Sequence, residues 1–199
     1  ISTLNNLAAL LFILPYFFFS ATAGQIADKY ERSQLIRFIK ILEIVIMLIG
    51  SAGFLLGNLW LLLFALFLMG THSTCFGPIK YAILPEILKP QELMSGNALF
   101  QSGTSIAILV GMILGGAVIA SSEGNLLWIS ITVVTIACLG YLSSRFILPQ
   151  KVAEPDLKID WNFFRTSFQT LKYVKSIPVL FMILLGNSWY WFYGATYVT

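Results

Sequence analysis

The sequence predicts an all-α membrane protein, built as a bundle of helices that cross the bilayer. Of its 199 residues, 58% are hydrophobic and 11% are charged, whereas roughly a quarter of the residues of a soluble domain are charged. Five runs contain no Asp, Glu, Lys or Arg, and each is long enough for the roughly 20 residues that cross a membrane as a helix. These runs cover residues 1–27, 44–79, 93–122, 124–144 and 176–199.

Six membrane crossings follow from these runs. The run 44–79 is too long for one helix, and the pair Gly57-Asn58 supplies a turn inside it. The predicted crossings are 4–27, 36–56, 59–83, 95–121, 125–147 and 177–199.

All twelve Lys and Arg residues lie on one side of this arrangement, either in the connections or near the ends of the crossings on that side. The opposite connections are 57–58 and 121–125, which hold a single acidic residue, Glu123. Because cytoplasmic loops carry the excess of Lys and Arg, the basic side is predicted to be cytoplasmic. The first crossing then begins outside, so we expect an odd number of helices, most simply one, before Ile1. The net charge of +3 is explained by topology and anionic lipids, so no nucleic-acid partner is expected.

The connection 148–176 differs from the others in its aqueous character. Its first part is charged and contains proline, as linkers do. Its second part, 161–175, places aromatic and aliphatic residues at helical spacing, with Asp160 as the N-cap. It is predicted to be an amphipathic helix lying on the cytoplasmic membrane surface.

The loop "GQIADKYER", Gly24 to Arg32, resembles the G-x-L-A-D-R-x-G-R motif of the major facilitator superfamily. The matching residues are Gly24, Ala27, Asp28 and Arg32. Glu31 replaces the second glycine of the motif, and Ser33 follows its last position. The resemblance implies that Gly24, Asp28 and Arg32 form a gating motif, with Asp28 facing a helix end of the other half and helping to hold the outward-open state. An ordinary i, i+4 ion pair is the alternative.

The stretch "FGPIKYAILPE", Phe76 to Glu86, and the following "SGNALFQSGTSIAILVGMILGG" are similar to the bacterial lysophospholipid transporter family. "NSWYWFYGATYVT" is similar to the seventh helix of members fused to acyltransferase and acyl-carrier-protein ligase domains. The resemblance implies three segments: 1–147 as helices two to six of the N-terminal half, 148–176 as the linker between halves, and 177–199 as helix seven. It also implies a lipid substrate, membrane lipids and those fused or associated enzymes as partners, and the bacterial inner membrane as location.

Lys80 stands near the cytoplasmic end of the third crossing, after Gly77 and Pro78. An ammonium within a membrane is costly unless something compensates for it, and a lysophospholipid phosphate would do so. The resemblance points to Lys80 as a headgroup contact, with Tyr81 contributing a hydroxyl. A topology lysine that reaches the interface, helped by Glu86, is the alternative.

Three further groups have simpler interpretations. Gly103, Gly111 and Gly115, together with Ala107, form a stripe that predicts close helix packing. Lys40 and Glu43 are predicted to neutralise each other one to two turns inside the second crossing, and proton coupling through Glu43 is the alternative. His72 and Cys75 have i, i+3 spacing, but a core histidine is favoured over a metal ligand, so no metal or cofactor is expected.

Three functions remain open from the sequence. The first is a flippase-type secondary transporter that moves lysophospholipid, particularly lysophosphatidylethanolamine, from the outer to the inner leaflet for re-acylation. The second is an exporter of drugs or other amphiphiles, and the third is a membrane anchor for fused acyltransferase domains. The chain carries no enzyme motif, because its one histidine lies in a membrane helix and no phosphate-binding glycine loop is present. We therefore expect a transporter segment and not an enzyme.

Overall fold

The computed structural model describes residues 2–121, 125–149 and 152–198. The described residues form eight helices and contain no strand, which confirms the all-α prediction. The helices are α1 (Ser2–Lys29), α2 (Arg32–Leu55), α3 (Leu59–Ala82), α4 (Leu84–Ile87), α5 (Leu93–Ser121), α6 (Leu126–Ser144), α7 (Phe163–Lys175) and α8 (Pro178–Val198). The predicted outer turn with Glu123 falls on residues 122–124, outside the described residues.

Within the described residues, five helices are long and apolar enough to cross a membrane: α1, α2, α3 extended by α4, α5 and α6. The bent pair of α7 and α8 brings the number to six when it is counted as one span. The predicted crossings agree with these helices to within a few residues. The prediction for α2 was too short, because the helix begins at Arg32 and not at 36. Glu31 caps it by accepting the backbone N–H groups of Ser33 (2.8 Å) and Gln34 (2.9 Å).

The turn between α2 and α3 is the one predicted from Gly57 and Asn58. Gly57 adopts a positive φ of 60°, which L side chains rarely adopt. The side chain of Asn58 then caps α3 by accepting from the backbone N–H groups of Trp60 and Leu61. This turn is therefore specified by two adjacent residues.

The chain divides into two compact units, Ile1–Ile159 and Asp160–Thr199. In the first unit, α3 packs against α1 and α2, and α2 packs also against α6. A buried core lies near the basic end of these helices and contains Ala27, Ile36, Ile39, Ile79 and Ile83. Large apolar side chains such as Phe17, Phe38 and Trp60 are exposed on the outside of the helices, as expected of a surface that faces lipid.

A glycine allows the closest helix contact of the first unit. A Cβ placed on Gly70 of α3 would overlap the backbone carbonyl of Phe12 in α1. The two backbones can therefore approach only because position 70 has no side chain.

Helix α5 is exposed over most of its length, and none of its described residues is buried. The predicted glycine stripe lies on this helix. No atom of the described chain comes within 4 Å of a Cβ added at Gly103, Gly111 or Gly115. Their role in helix packing stays a prediction.

The second unit contains α7, which covers nearly all of the predicted amphipathic segment. Its N-cap is Asn162 and not Asp160, because the Asn162 side chain accepts the backbone N–H of Arg165 at 3.1 Å. The side chain of Asp160 instead accepts a hydrogen bond from the backbone N–H of Asn162 at 2.9 Å, before the helix begins. Trp161, Phe164 and Phe168 are exposed, so this helix presents an aromatic surface.

Candidate functional site

Arg32 connects the predicted gating motif to α4. Its side chain is only 7% exposed, and its guanidinium forms an ion pair with the carboxylate of Glu86. Asp28 is the weaker partner, with Oδ1 3.5 Å from Nη2 of Arg32 and a side chain that is 53% exposed. The sequence motif indicated Asp28 as the partner and missed this role of Glu86, which comes from a helix far along the chain.

The departure from the motif at Glu31 has a structural explanation. Glu31 is the N-cap of α2, and Ser33, two residues later, is completely buried. The Ser33 hydroxyl donates a hydrogen bond to Oε2 of Glu31 at 2.8 Å. Where the motif has its second glycine, this chain therefore has a hydrogen-bonded helix cap.

The segment after α6 returns to the same loop. The backbone N–H of Glu154 donates to the carbonyl of Asp28 at 2.9 Å. Arg37 in turn donates from Nη2 to the carbonyl of Ile147 at 3.0 Å. Gly24 lies at the preceding turn of α1, with no atom within 4 Å of an added Cβ. The start of the connection 148–176 is thus hydrogen-bonded to the predicted gating motif.

Lys80 lies at the end of α3 among aromatic rings. Its Nζ is 4.9 Å from the ring centroid of Tyr81 and 5.9 Å from that of Phe100, both within the range of a cation–π contact. In the described part of the chain no carboxylate pairs with Lys80, since Glu86 pairs with Arg32. The structure therefore does not support the alternative in which Glu86 compensates for Lys80.

Tyr81 joins α3 to α5 by a side-chain hydrogen bond. Its hydroxyl donates to Oε1 of Gln101 at 2.9 Å, and its ring lies 6.3 Å from that of Phe100. The sequence indicated Lys80 and Tyr81, and the structure adds Phe100 and Gln101 to them. These two lie within the stretch that resembles the transporter family, but no spacing rule connects them to Lys80.

An apolar groove of about 550 Å³ lies next to this group, between α4 and α5. Its volume is within the range of small-molecule sites. The lining includes Leu84, Ile87, Leu88, Leu99, Phe100 and Gly103. Phe100 belongs both to the groove and to the surroundings of Lys80, so a cation and an apolar groove adjoin each other. This combination suits an amphiphile with an anionic group.

A family model described as Major Facilitator Superfamily matches residues 2–199. Curated proteins named "Lysophospholipid transporter LplT" are similar over most of the chain. The protein from Enterobacter sp. (strain 638) is 27% identical over 197 residues, which are 94% of this chain and 45% of that protein. The protein from Escherichia coli O1:K1 / APEC is 25% identical over 190 residues, with the same two shares.

The protein of the same name from Pectobacterium carotovorum subsp. carotovorum (strain PC1) is 32% identical over 105 residues, which are 53% of this chain and 24% of that protein. The chain spans about half the length of the curated relatives that it matches over most of its own length. The family model, in contrast, covers nearly the whole chain, and the apolar helices agree with it. The chain belongs to the major facilitator superfamily.

Proposed function

We propose that this chain is part of a secondary transporter that moves lysophospholipid across the bacterial inner membrane. The observation that carries the proposal is the position of Lys80, an ammonium that pairs with no carboxylate among the described residues and lies beside Phe100, which lines the apolar groove. Similarity to proteins named as lysophospholipid transporters supports the choice of substrate.

The substrate chemistry fits the two parts of the site. A lysophospholipid carries one phosphate and one acyl chain. In this proposal the phosphate pairs with Lys80, and the acyl chain enters the groove lined by Leu88, Leu99 and Phe100. Hydrogen bonds between charged groups stabilise more than neutral ones, so Lys80 supplies much of the headgroup affinity. The Tyr81 hydroxyl provides a second polar contact when its hydrogen bond to Gln101 is replaced by a hydrogen bond to the headgroup.

Three finer features belong to the same proposal. Lysophosphatidylethanolamine is the preferred substrate, and it moves from the outer to the inner leaflet for re-acylation. The basic connections face the cytoplasm, where an acyltransferase and an acyl-carrier-protein ligase act on the product. Residues 1–147 belong to the N-terminal half, 148–176 join the halves, and 177–199 begin the second half.

Gating is proposed for Gly24, Asp28 and Arg32. Arg32 is held by Glu86 within the first unit, whereas the carboxylate of Asp28 remains half exposed. Asp28 is therefore the member of the motif that is free to contact a helix end of the other half. The backbone carbonyl of Asp28 also accepts a hydrogen bond from the backbone N–H of Glu154. A movement of the loop between α1 and α2 would therefore also displace the start of the connection 148–176.

Uptake of lysophosphatidylethanolamine by vesicles containing the full-length protein tests the proposal. Lys80→Ala should slow uptake ten- to a hundredfold, since a hydrogen bond to a charged group contributes about 1.5 to 3 kcal/mol. Lys80→Arg should keep part of the activity. Lys89→Ala is the matched control, because Lys89 is an exposed lysine in the same connection. Uptake at the normal rate by folded Lys80→Ala protein would reject the phosphate contact.

A further inference from the structure

Three ionisable side chains meet between α2 and α3: Lys40, Glu43 and His72. Nζ of Lys40 donates to Oε2 of Glu43 at 2.7 Å. Nε2 of His72 lies 3.6 Å from the same oxygen atom. The side chains are 21%, 17% and 6% exposed, respectively. The sequence paired Lys40 with Glu43 and left His72 as a core residue, so it missed this cluster.

The cluster lies deep within the membrane-spanning helices. Glu43 is eleven residues from the start of α2, and His72 is ten residues from the end of α3. At 1.5 Å per residue, these distances are about 16 Å and 15 Å along the helices. The hydrocarbon core of a bilayer is about 30 Å thick. The cluster is therefore near the middle of the spans, deeper than the sequence predicted, because α2 begins at Arg32.

His72 is the member of the cluster that lacks partners. Both of its ring nitrogens are buried, and neither makes a hydrogen bond. A buried polar group without a partner is costly and therefore requires an explanation. A proton on Nε2 would give His72 a donor directed at the carboxylate of Glu43. The one oxygen that Lys40 already uses would then be shared between two cations.

The other ionisable groups on the neighbouring helices are few. Cys75 lies one turn beyond His72 on α3. The charged residues of α1 are Asp28 and Lys29, at its last turn, where Asp28 pairs with Arg32. On α6 the ionisable side chains are Cys138 and Tyr141, and Tyr141 accepts a hydrogen bond from Arg145. The described structure gives none of these groups a hydrogen bond or ion pair with the cluster, so Glu43 is the anion that would stabilise a proton on His72.

We propose that His72, Glu43 and Lys40 form an intramembrane proton-binding site. In the tautomer that carries its proton on Nδ1, the lone pair on Nε2 of His72 takes a proton from a hydronium ion and leaves water, and release returns the proton to water. In the protonated state the imidazolium competes with Lys40 for Oε2 of Glu43. This site is separate from Lys80 and the apolar groove, and it does not depend on lysophospholipid being the substrate.

The position of Lys40 gives proton binding a structural consequence. Its ammonium lies 5.2 Å from the ring centroid of Phe76, which stacks on His72 with an interplanar angle of 12°. It also lies 3.4 Å from the position that a Cβ would take on Gly140 of α6. In this proposal, an ammonium displaced from Glu43 changes its contacts with Phe76 and with α6. Proton binding is in this way linked to the packing of α2 on α6.

Nuclear magnetic resonance of the full-length protein in lipid nanodiscs, with ¹⁵N-labelled histidine, tests this proposal. The imidazole signals that disappear in His72→Gln belong to His72. We expect the signals of His72 to show a change of protonation state as the pH of the sample is lowered. Glu43→Gln removes an anion and Lys40→Met removes a cation, so the two substitutions should move the midpoint in opposite directions by about one pH unit or more. Lys89→Ala should leave the midpoint unchanged.

Two outcomes would overturn the proposal. One is a His72 that keeps the same protonation state over the whole pH range in which the protein stays folded. The other is a midpoint that Glu43→Gln does not change, since a histidine that only fills the core would not respond to this carboxylate. If Lys40→Met does not fold, Glu43→Gln, which keeps the size of the side chain, decides alone. Lysophospholipid uptake by Lys80→Ala is a separate measurement, so the two proposals can fail independently.

Discussion

Arg32 and Glu86, 54 positions apart in the sequence, form an ion pair that joins the start of α2 to α4. We predict that Arg32→Gln or Glu86→Gln alone lowers the free energy of unfolding by about 3 kcal/mol, because each removes one partner of an ion pair whose arginine side chain is only 7% exposed. The double substitution should lower the free energy of unfolding by clearly less than the sum of the two single losses. Thermal unfolding in detergent, analysed as a double-mutant cycle, measures this coupling.

Asp28 provides the contrast for that cycle. Its carboxylate is half exposed and 3.5 Å from Arg32, so Asp28→Asn should change the free energy of unfolding by less than about 1 kcal/mol. Its proposed role in gating predicts a larger effect on transport than on stability. Equal stability losses for Asp28→Asn and Glu86→Gln would show that Arg32 does not prefer Glu86.

The contact between α1 and α3 depends on Gly70. We predict that Gly70→Ala destabilises the protein by roughly 1 to 3 kcal/mol, because the added Cβ overlaps the carbonyl of Phe12. Gly77→Ala, in the same helix, has open space around the added Cβ and should stabilise by up to about 1 kcal/mol. The midpoints of thermal unfolding of Gly70→Ala and Gly77→Ala test this difference. Equal changes of the midpoint in the two variants would contradict the close approach at Gly70.

The Tyr81 hydroxyl is predicted to contribute to substrate binding and little to stability. Tyr81→Phe keeps the ring beside Lys80 and loses only the hydrogen bond to Gln101, which is exposed. The unfolding free energy should fall by no more than about 1 kcal/mol. The KM of Tyr81→Phe for lysophosphatidylethanolamine should be severalfold higher than that of the natural protein. The KM of Gln101→Leu should be closer to the natural value. A KM unaffected by Tyr81→Phe would remove Tyr81 from the site.

Sidedness can be tested with single cysteines in a protein whose Cys75 and Cys138 have been replaced by alanine. Leu56→Cys, in the exposed turn between α2 and α3, should react with a membrane-impermeant maleimide added outside the cell. Tyr30→Cys, in the exposed loop between α1 and α2, should react only after the membrane is opened. The reverse pattern would invert the topology derived from the Lys and Arg residues.

Helix α7 is predicted to lie in the membrane surface with its aromatic face toward the lipid. A spin label at Phe168→Cys should then be shielded from a water-soluble relaxation agent. A label at Gln169→Cys, the next residue, should remain accessible because it points toward the polar side. Both side chains are exposed in the structure, so equal accessibility of the two labels would rule out the interfacial position.

The sequence alone determined which segments of this protein are helices, because charge-free runs of sufficient length have few alternatives in a membrane. It also determined features formed by neighbouring residues. The turn at Gly57 and Asn58 is one example, since backbone freedom and a capping side chain act locally. The ion pair of Lys40 and Glu43 is another, because residues three apart share a helix face.

Only the tertiary structure decided which residues meet between helices. Glu86 pairs with Arg32 and not with Lys80, Gln101 receives the Tyr81 hydroxyl, and His72 approaches Glu43. Such contacts depend on how far each helix is rotated about its axis and shifted along it. Helices such as α3 and α6 are apolar all round, so their sequences do not mark one face for packing. The rotation and shift are fixed by close contacts such as that of Gly70 with Phe12, which exist only after the helices have come together.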